Sequence, residues 1–276
     1  MSRTTEINEL YNPAKGTIQW KSESSSFCMY DKNTKTNVEL KKPFKFVVLE
    51  KDYVSFNGFN EEAYKGFWSN EVKNADDLVS VRLGNEVVKT FKKSEWKGTK
   101  TEAGMKDDPA LKGCKYTQVL YIASKLEDDD KPEVYRLLLS GGAFTGGVSI
   151  NKKTGKEDEG QEQDGWIRFA GSLTGGRNGV YNYEFSVSKS KSKKNGAVTY
   201  TIPVYEAEFL EEGDKETYNK IACTVDEWFE YYNSQNNTSV TNSTRNDTVK
   251  DDINHFKKEA GLVEKEEMVE EDGLPF

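Results

Sequence analysis

The chain has 276 residues, 35% of them hydrophobic and 31% charged, which suffices for a buried core while leaving part of the length outside it. No apolar run approaches the roughly 20 residues that span a bilayer, and Met1-Ser2-Arg3-Thr4-Thr5-Glu6 lacks the apolar stretch of a secretory signal, so a soluble cytoplasmic protein is expected. The net charge of −8 speaks against a polyanionic partner only until it is divided: residues 1–200 carry 32 Lys and Arg against 28 Asp and Glu (+4), residues 201–276 carry 7 against 19 (−12).

Up to about residue 210 the pattern predicts β-structure. Thr17–Trp20, Ser26–Tyr30 and Thr36–Leu40 read as short strands, the last two flanking a polar turn and forming a hairpin. Phe44–Phe56 is a longer strand stopped by Asn57-Gly58. Glu86–Phe91, Tyr116–Leu126, Val134–Leu139 and Trp166–Leu173 follow. Val180–Val187 and Val198–Phe209 form the clearest hairpin, with Tyr181, Tyr183, Phe185 and Val187 on one face of the first strand and Val198, Tyr200, Ile202 and Val204 on one face of the second. Helix is scarce. Glu61-Glu62-Ala63-Tyr64 suggests one short start, and the capping-box spacing Thr224–Glu227 ahead of Trp228, Phe229, Tyr231 and Tyr232 another. Polar segments at 98–113 and 151–165 read as inserted loops. An Asn/Ser/Thr-rich linker is expected over 233–248, a short amphipathic helix over 249–260 (Val249, Ile253, Phe256, Ala260), and a disordered acidic tail over 261–276.

Catalytic constellations do not assemble. His255, the sole histidine, falls beyond the linker, which leaves no histidine base within the body. Cys28, Cys114 and Cys223 are far apart, so neither a structural zinc nor any other cofactor is expected. The glycine-rich segments Ser140–Gly147 and Thr174–Gly179 match neither a phosphate loop nor a dinucleotide fingerprint and read as flexible β-loops. Asp128-Asp129-Asp130, just before Pro132, reads as a solvated turn.

Lysines, by contrast, interleave with aromatics: Lys41-Lys42-Pro43-Phe44-Lys45, Tyr64-Lys65-Gly66-Phe67-Trp68 and Phe91-Lys92-Lys93-Ser94-Glu95-Trp96-Lys97. Cations that follow phosphates and rings that stack on unpaired bases are what a single strand requires, at about 1–3 kcal/mol per stacked base and without regard to sequence. Arginines, favoured for reading base edges, are few in the body: Arg3, Arg82, Arg136, Arg168 and Arg177. The candidate DNA contacts are therefore Lys42, Phe44, Lys45, Trp68, Phe91, Lys92, Lys93, Trp96 and Lys97. Lys189, Lys191 and Lys193 join them, in the expected tip of the last hairpin. Against this stands core packing, which must claim most aromatics in any such chain.

The end of the chain, Glu270-Glu271-Asp272-Gly273-Leu274-Pro275-Phe276, joins carboxylates to an apolar wedge and the terminal carboxylate of Phe276, a set that a basic pocket can capture as a unit. It resembles the tip of bacterial single-stranded DNA-binding proteins, although Gly273 stands where an acidic residue is common. The body is about twice the length of the bacterial domain, and Gly66-Phe67-Trp68-Ser69-Asn70-Glu71-Val72 is similar to a segment of some phage single-stranded DNA-binding proteins. The resemblance implies an OB-like barrel with inserted strands and loops over residues 1–232. It also implies a non-catalytic protein of DNA replication, recombination and repair that coats single strands without sequence preference. Glu270, Glu271, Asp272, Leu274, Pro275 and Phe276 would recruit a polymerase, helicase or primase. Homo-oligomerisation is left open, and the compartment would be the bacterial host cytoplasm if the chain is phage-encoded. The competing expectations are a β-rich structural or interaction component, such as a phage assembly protein, and a metal-dependent nucleic-acid enzyme.

Overall fold

The computed structural model describes residues 11–31, 34, 36–99, 102–126, 131–146, 165–195 and 198–239. The expected helix over 249–260, the acidic tail with its tip residues Glu270, Glu271, Asp272, Leu274, Pro275 and Phe276, and Asp128-Asp129-Asp130 lie outside them.

The protein is mainly β. The strands are β1 (Thr17–Lys21), β2 (Ser26–Asp31), β3 (Thr36–Glu39), β4 (Phe44–Asn60), β5 (Lys65–Ser69), β6 (Leu78–Leu83), β7 (Glu86–Lys92), β8 (Cys114–Ser124), β9 (Glu133–Leu139), β10 (Tyr183–Asn195) and β11 (Val198–Phe209). Helices α1 (Gly141–Thr145), α2 (Trp166–Ser172) and α3 (Glu212–Ser239) accompany them. The sheet is open and mixed, in the order β3-β2-β1-β9-β8-β4-β5-β6-β7, with the β10–β11 hairpin branching from β4. β1 and β9 run parallel; the other described pairs are antiparallel.

β4 organises the molecule. Its first residues pair with β10 (Phe44–Val47 against Glu184–Val187), its last with β5 (Gly58–Asn60 against Lys65–Phe67), and β8 runs along the other edge. Register shifts between Val48 and Glu50 and again between Glu50 and Tyr53 bend it midway, as bulges do. Two lobes therefore hang from one edge of one strand.

Three apolar clusters follow from this layout. Phe46, Leu120, Ile122, Trp166 and Phe185 lie in the cluster that joins the central sheet to the β10–β11 hairpin and α2. On the other face, Val119, Tyr121 and Tyr53 meet Val225, Trp228 and Phe229 of α3, with the Tyr53 and Phe229 rings stacked at 3.6 Å. β8 is a continuous apolar run because both of its faces are covered: Leu120 and Ile122 point one way, Val119 and Tyr121 the other. The third cluster (Phe56, Phe67, Val79, Val81, Phe91, Trp96) fills the β5–β7 lobe. Buried among these elements, Arg136 pairs with Glu71, which accepts a hydrogen bond from the Tyr121 hydroxyl at 3.0 Å.

Several expected elements differ. Trp166–Leu173 is not a strand: Trp166 and Ala170, four residues apart, are buried together as the inward side of α2. Glu61–Tyr64 is a turn rather than a helix start, and β5 and β6 were not expected. Thr224 is no cap; it lies inside α3 and its hydroxyl donates to the Ile221 carbonyl at 2.5 Å. That helix is 28 residues long and continues through Ser239, past the expected start of the linker at 233. Lys189–Asn195 form strand, not a hairpin tip.

Candidate nucleic-acid interface

Between the β10 and β5 pairings, the edge of β4 is held by the bridge between Val54 and Val72, whose amides donate to each other's carbonyls at 2.9 Å, and by the Phe56 amide, which donates to the Ser69 hydroxyl at 2.8 Å. A cleft of about 410 Å³ opens there, within the range of small-ligand sites. Its charged side is built from the bulge. The Glu50 carboxylate accepts hydrogen bonds from the Lys51 and Asp52 amides at 2.7 and 2.8 Å, and from the Lys73 ammonium at 2.9 Å. The Gln118 side-chain amide donates to the Lys51 and Tyr53 carbonyls. The bulge is thereby pinned with Lys51 and Asp52 lining the cleft.

Lys93, the first residue of a 3-10 turn after β7, also lines it and donates to the Lys73 carbonyl. Burial lowers its pKa below the ordinary lysine value, while Asp77 and Asp52 act the other way. Opposite stand Phe144 of α1, Tyr116 of β8, Trp166 and Ile167 of α2, and Arg177 from the 3-10 turn Gly176–Asn182. The Tyr116 and Phe144 rings stack at 6.0 Å and 24°. Burial raises the pKa of the Tyr116 phenol, and the charge of Arg177 opposes the rise. Lys51 is paired with Asp52 at 2.8 Å and Lys73 with Glu50 at 2.9 Å, whereas Arg177 has no carboxylate partner among the described residues. The cleft thus offers four cations against one lining carboxylate, with flat apolar surface between them. Phosphates and an unpaired base both fit such chemistry.

The residues singled out in the sequence are scattered, and three change role. Phe44, Phe91 and Trp96 are core side chains, 3%, 3% and 8% exposed. Phe44 packs on Phe27 and Phe46 at 5.1 and 5.3 Å, and Trp96 on Phe56 at 4.7 Å. The interleaved lysines have the same cause: along β4 and at the end of β7 alternate residues face opposite sides, which puts Lys45 and Lys92 outside while Phe44, Phe46 and Phe91 point in.

Lys45 pairs with Glu184 at 2.7 Å, Lys92 with Asp76 at 3.4 Å, and Lys97 is exposed. Lys42 donates to the Ser25 carbonyl at 2.8 Å, and the Ser25 hydroxyl donates to Thr201 at 3.1 Å, which brings Lys42 to the β10–β11 hairpin carrying Lys189, Lys191 and Lys193. Trp68 is half-buried, its indole N–H donating to the Gly84 carbonyl at 2.8 Å and its ring facing the Arg82 guanidinium at 5.2 Å. Of the twelve, only Lys93 lines the cleft.

The remaining lining residues had weak signals. Glu50-Lys51-Asp52, three charges within an apolar strand, marks the bulge. Both glycine-rich segments, read as flexible β-loops, fold as α1 and as the 3-10 turn Gly176–Asn182, and they deliver Phe144 and Arg177.

Among the described residues no three His, Cys, Asp or Glu side chains cluster as a metal site, and no helix is long and apolar enough to cross a membrane. No protein-family model matches the chain, and no curated protein or solved structure matches it either.

Proposed function

We propose that the protein binds single-stranded DNA without sequence preference and without catalysis, serving replication, recombination or repair in the cytoplasm, that of a bacterial host if the chain is phage-encoded. The observation that carries this reading is the β4 cleft, which Lys51, Lys73, Lys93 and Arg177 line together with the stacked Tyr116 and Phe144. Lysine-rich cations beside stacking rings suit a flexible strand of any sequence. The OB-like barrel is part of the same proposal: a bulged, bent β4 shared by two lobes is how a sheet turns toward closure, with β10–β11 and the helices as elaborations. The segment Glu270–Phe276 is proposed to recruit replication proteins such as a polymerase, helicase or primase.

Mobility shifts with single- and double-stranded oligonucleotides test the reading. The full chain is expected to prefer the single strand, to leave it uncut with or without Mg²⁺, and to lose about ten-fold in affinity on Arg177→Ala. Deletion of residues 260–276 is expected to tighten DNA binding, by removing an acidic competitor for the basic cleft, and to abolish association with replication proteins. The burial of Phe44, Phe91 and Trp96 favours the other reading, a β-rich structural or interaction component whose aromatics are all core. Absence of single-strand binding would select it.

A further inference from the structure

The turn that joins β4 to β5 carries an unusual residue. Tyr64 adopts φ of +51°, a left-handed conformation that bulky side chains rarely take and that glycine or asparagine fills at low cost. Its side chain is nevertheless 84% exposed, so no packing into a core explains a tyrosine there. The ring meets Phe59, itself 46% exposed, edge to face at 5.3 Å. The turn is well formed around them, with the Ala63 amide donating to the Asn60 side chain at 2.8 Å.

The neighbouring sheet face continues the same chemistry. Phe59 pairs with Gly66, and along the two strands Asn57 and Trp68 share its face. Asn57 pairs with Lys115 and Trp68 with Arg82. Lys65 follows the turn directly, and Lys112 holds Glu62 at 2.7 Å, with Glu61 also close to it. Lys65, opposite Asn60, alternates to the reverse side, so three cations (Arg82, Lys112, Lys115) stand near two carboxylates, one of them already paired. Phe56 and Tyr116, by alternation, occupy the reverse side, so this surface is distinct from the cleft although only about 10 Å away along β4.

We propose that Tyr64 and Phe59 form a second base-stacking contact for single-stranded nucleic acid, engaged only by strands long enough to pass from the cleft around the β4–β5 turn. The inference rests on the single-strand reading above, and the excess of positive charge favours a nucleic acid over a protein as occupant. Backbone strain retained under an exposed ring is the mark of a residue kept for contact rather than for folding.

Tyr64→Gly separates the two roles, because glycine relieves the strain while removing the ring. Binding of the full chain to oligo-dT of about 5 and about 25 nucleotides, at the short end of the usual span of one such domain and beyond it, is measured beside thermal unfolding. The variant is expected to unfold at an equal or higher temperature, to bind the short strand as the wild type does, and to bind the long strand about ten-fold more weakly. Wild-type affinity for both strands would overturn the proposal and leave the cleft reading intact; the turn would then be a protein contact or a solvated tip. Equal losses for both strands would also overturn it. Failure of the wild type to bind either strand would remove the nucleic-acid reading itself.

Discussion

Phe91 and Lys93 stand two residues apart, and their environments decide what each can do. The Phe91 ring lies against Phe56 at 5.3 Å in the β5–β7 lobe, 3% exposed, where a base cannot reach it. Lys93, after the strand has ended, turns into the cleft. The same distinction separates Phe44 and Trp96 from Tyr116 and Phe144. Phe44→Ala and Trp96→Ala are expected to cost about 3–5 kcal/mol of folding stability, the range for buried aromatics, with DNA affinity of the folded fraction unchanged. Urea unfolding beside a binding titration reads both quantities; a loss of affinity without a loss of stability would return these residues to the interface. Lysine beside aromatic was legible as a pattern, but the pattern is also what a half-buried strand produces, so residue types alone could not tell a stacking ring from a core ring. Arg177 and Phe144 were hidden in glycine-rich segments whose local signal is a break in the strands rather than a site.

Among the elements, strands with strong alternation or a long apolar run were readable: β1 to β4, β7 to β9 and β11 lie close to where the sequence put them, whereas β10 starts at Tyr183 rather than Val180 and runs on to Asn195 rather than stopping at Val187. β5 and β6 were missed although β1 to β3 are equally short; β5 carries a glycine and was read only as part of a lysine–aromatic pattern. α2 was mistaken for a strand because Trp166, Ile167 and Phe169 are common in both settings. α3 was seen only in its apolar centre, since the polar turns before and after it owe their place to the anchoring of Val225, Trp228 and Phe229 on the sheet.

That anchoring has an electrostatic cost. α3 brings Asp226 to a partly desolvated position near the Glu50 carboxylate, and both effects, burial first, raise its pKa above 3.8, with Lys73 opposing them. A raised carboxyl pKa disfavours the charged folded form. The penalty is therefore present above the folded-state pKa and disappears as pH falls below 3.8, where the group is protonated in both states. Asp226→Asn is expected to raise the melting temperature at neutral pH, with the gain shrinking toward zero by about pH 3 to 4. A gain independent of pH, or a loss at pH 7, would contradict this account of the helix.

Over the whole molecule, charge and shape point the same way. The body carries the positive excess and the residues after 200 the negative one. The body's cations do not form an even coat: those on the cleft converge along the stretch of β4 between its two lobes. Sequence composition revealed the division of charge. It did not reveal the cleft, which depends on the two bulges and on segments distant along the chain, from Lys51 to Arg177, meeting at one edge.

The most direct test is the salt dependence of binding to oligo-dT by the full chain and by Arg177→Ala. With three to four cations meeting phosphates, log K should fall against log salt with a slope of about −2 to −3 for the wild type. The Arg177→Ala slope should be shallower by about 0.7, one phosphate contact fewer. A slope near zero, or identical slopes and affinities for the two proteins, would contradict binding in the β4 cleft.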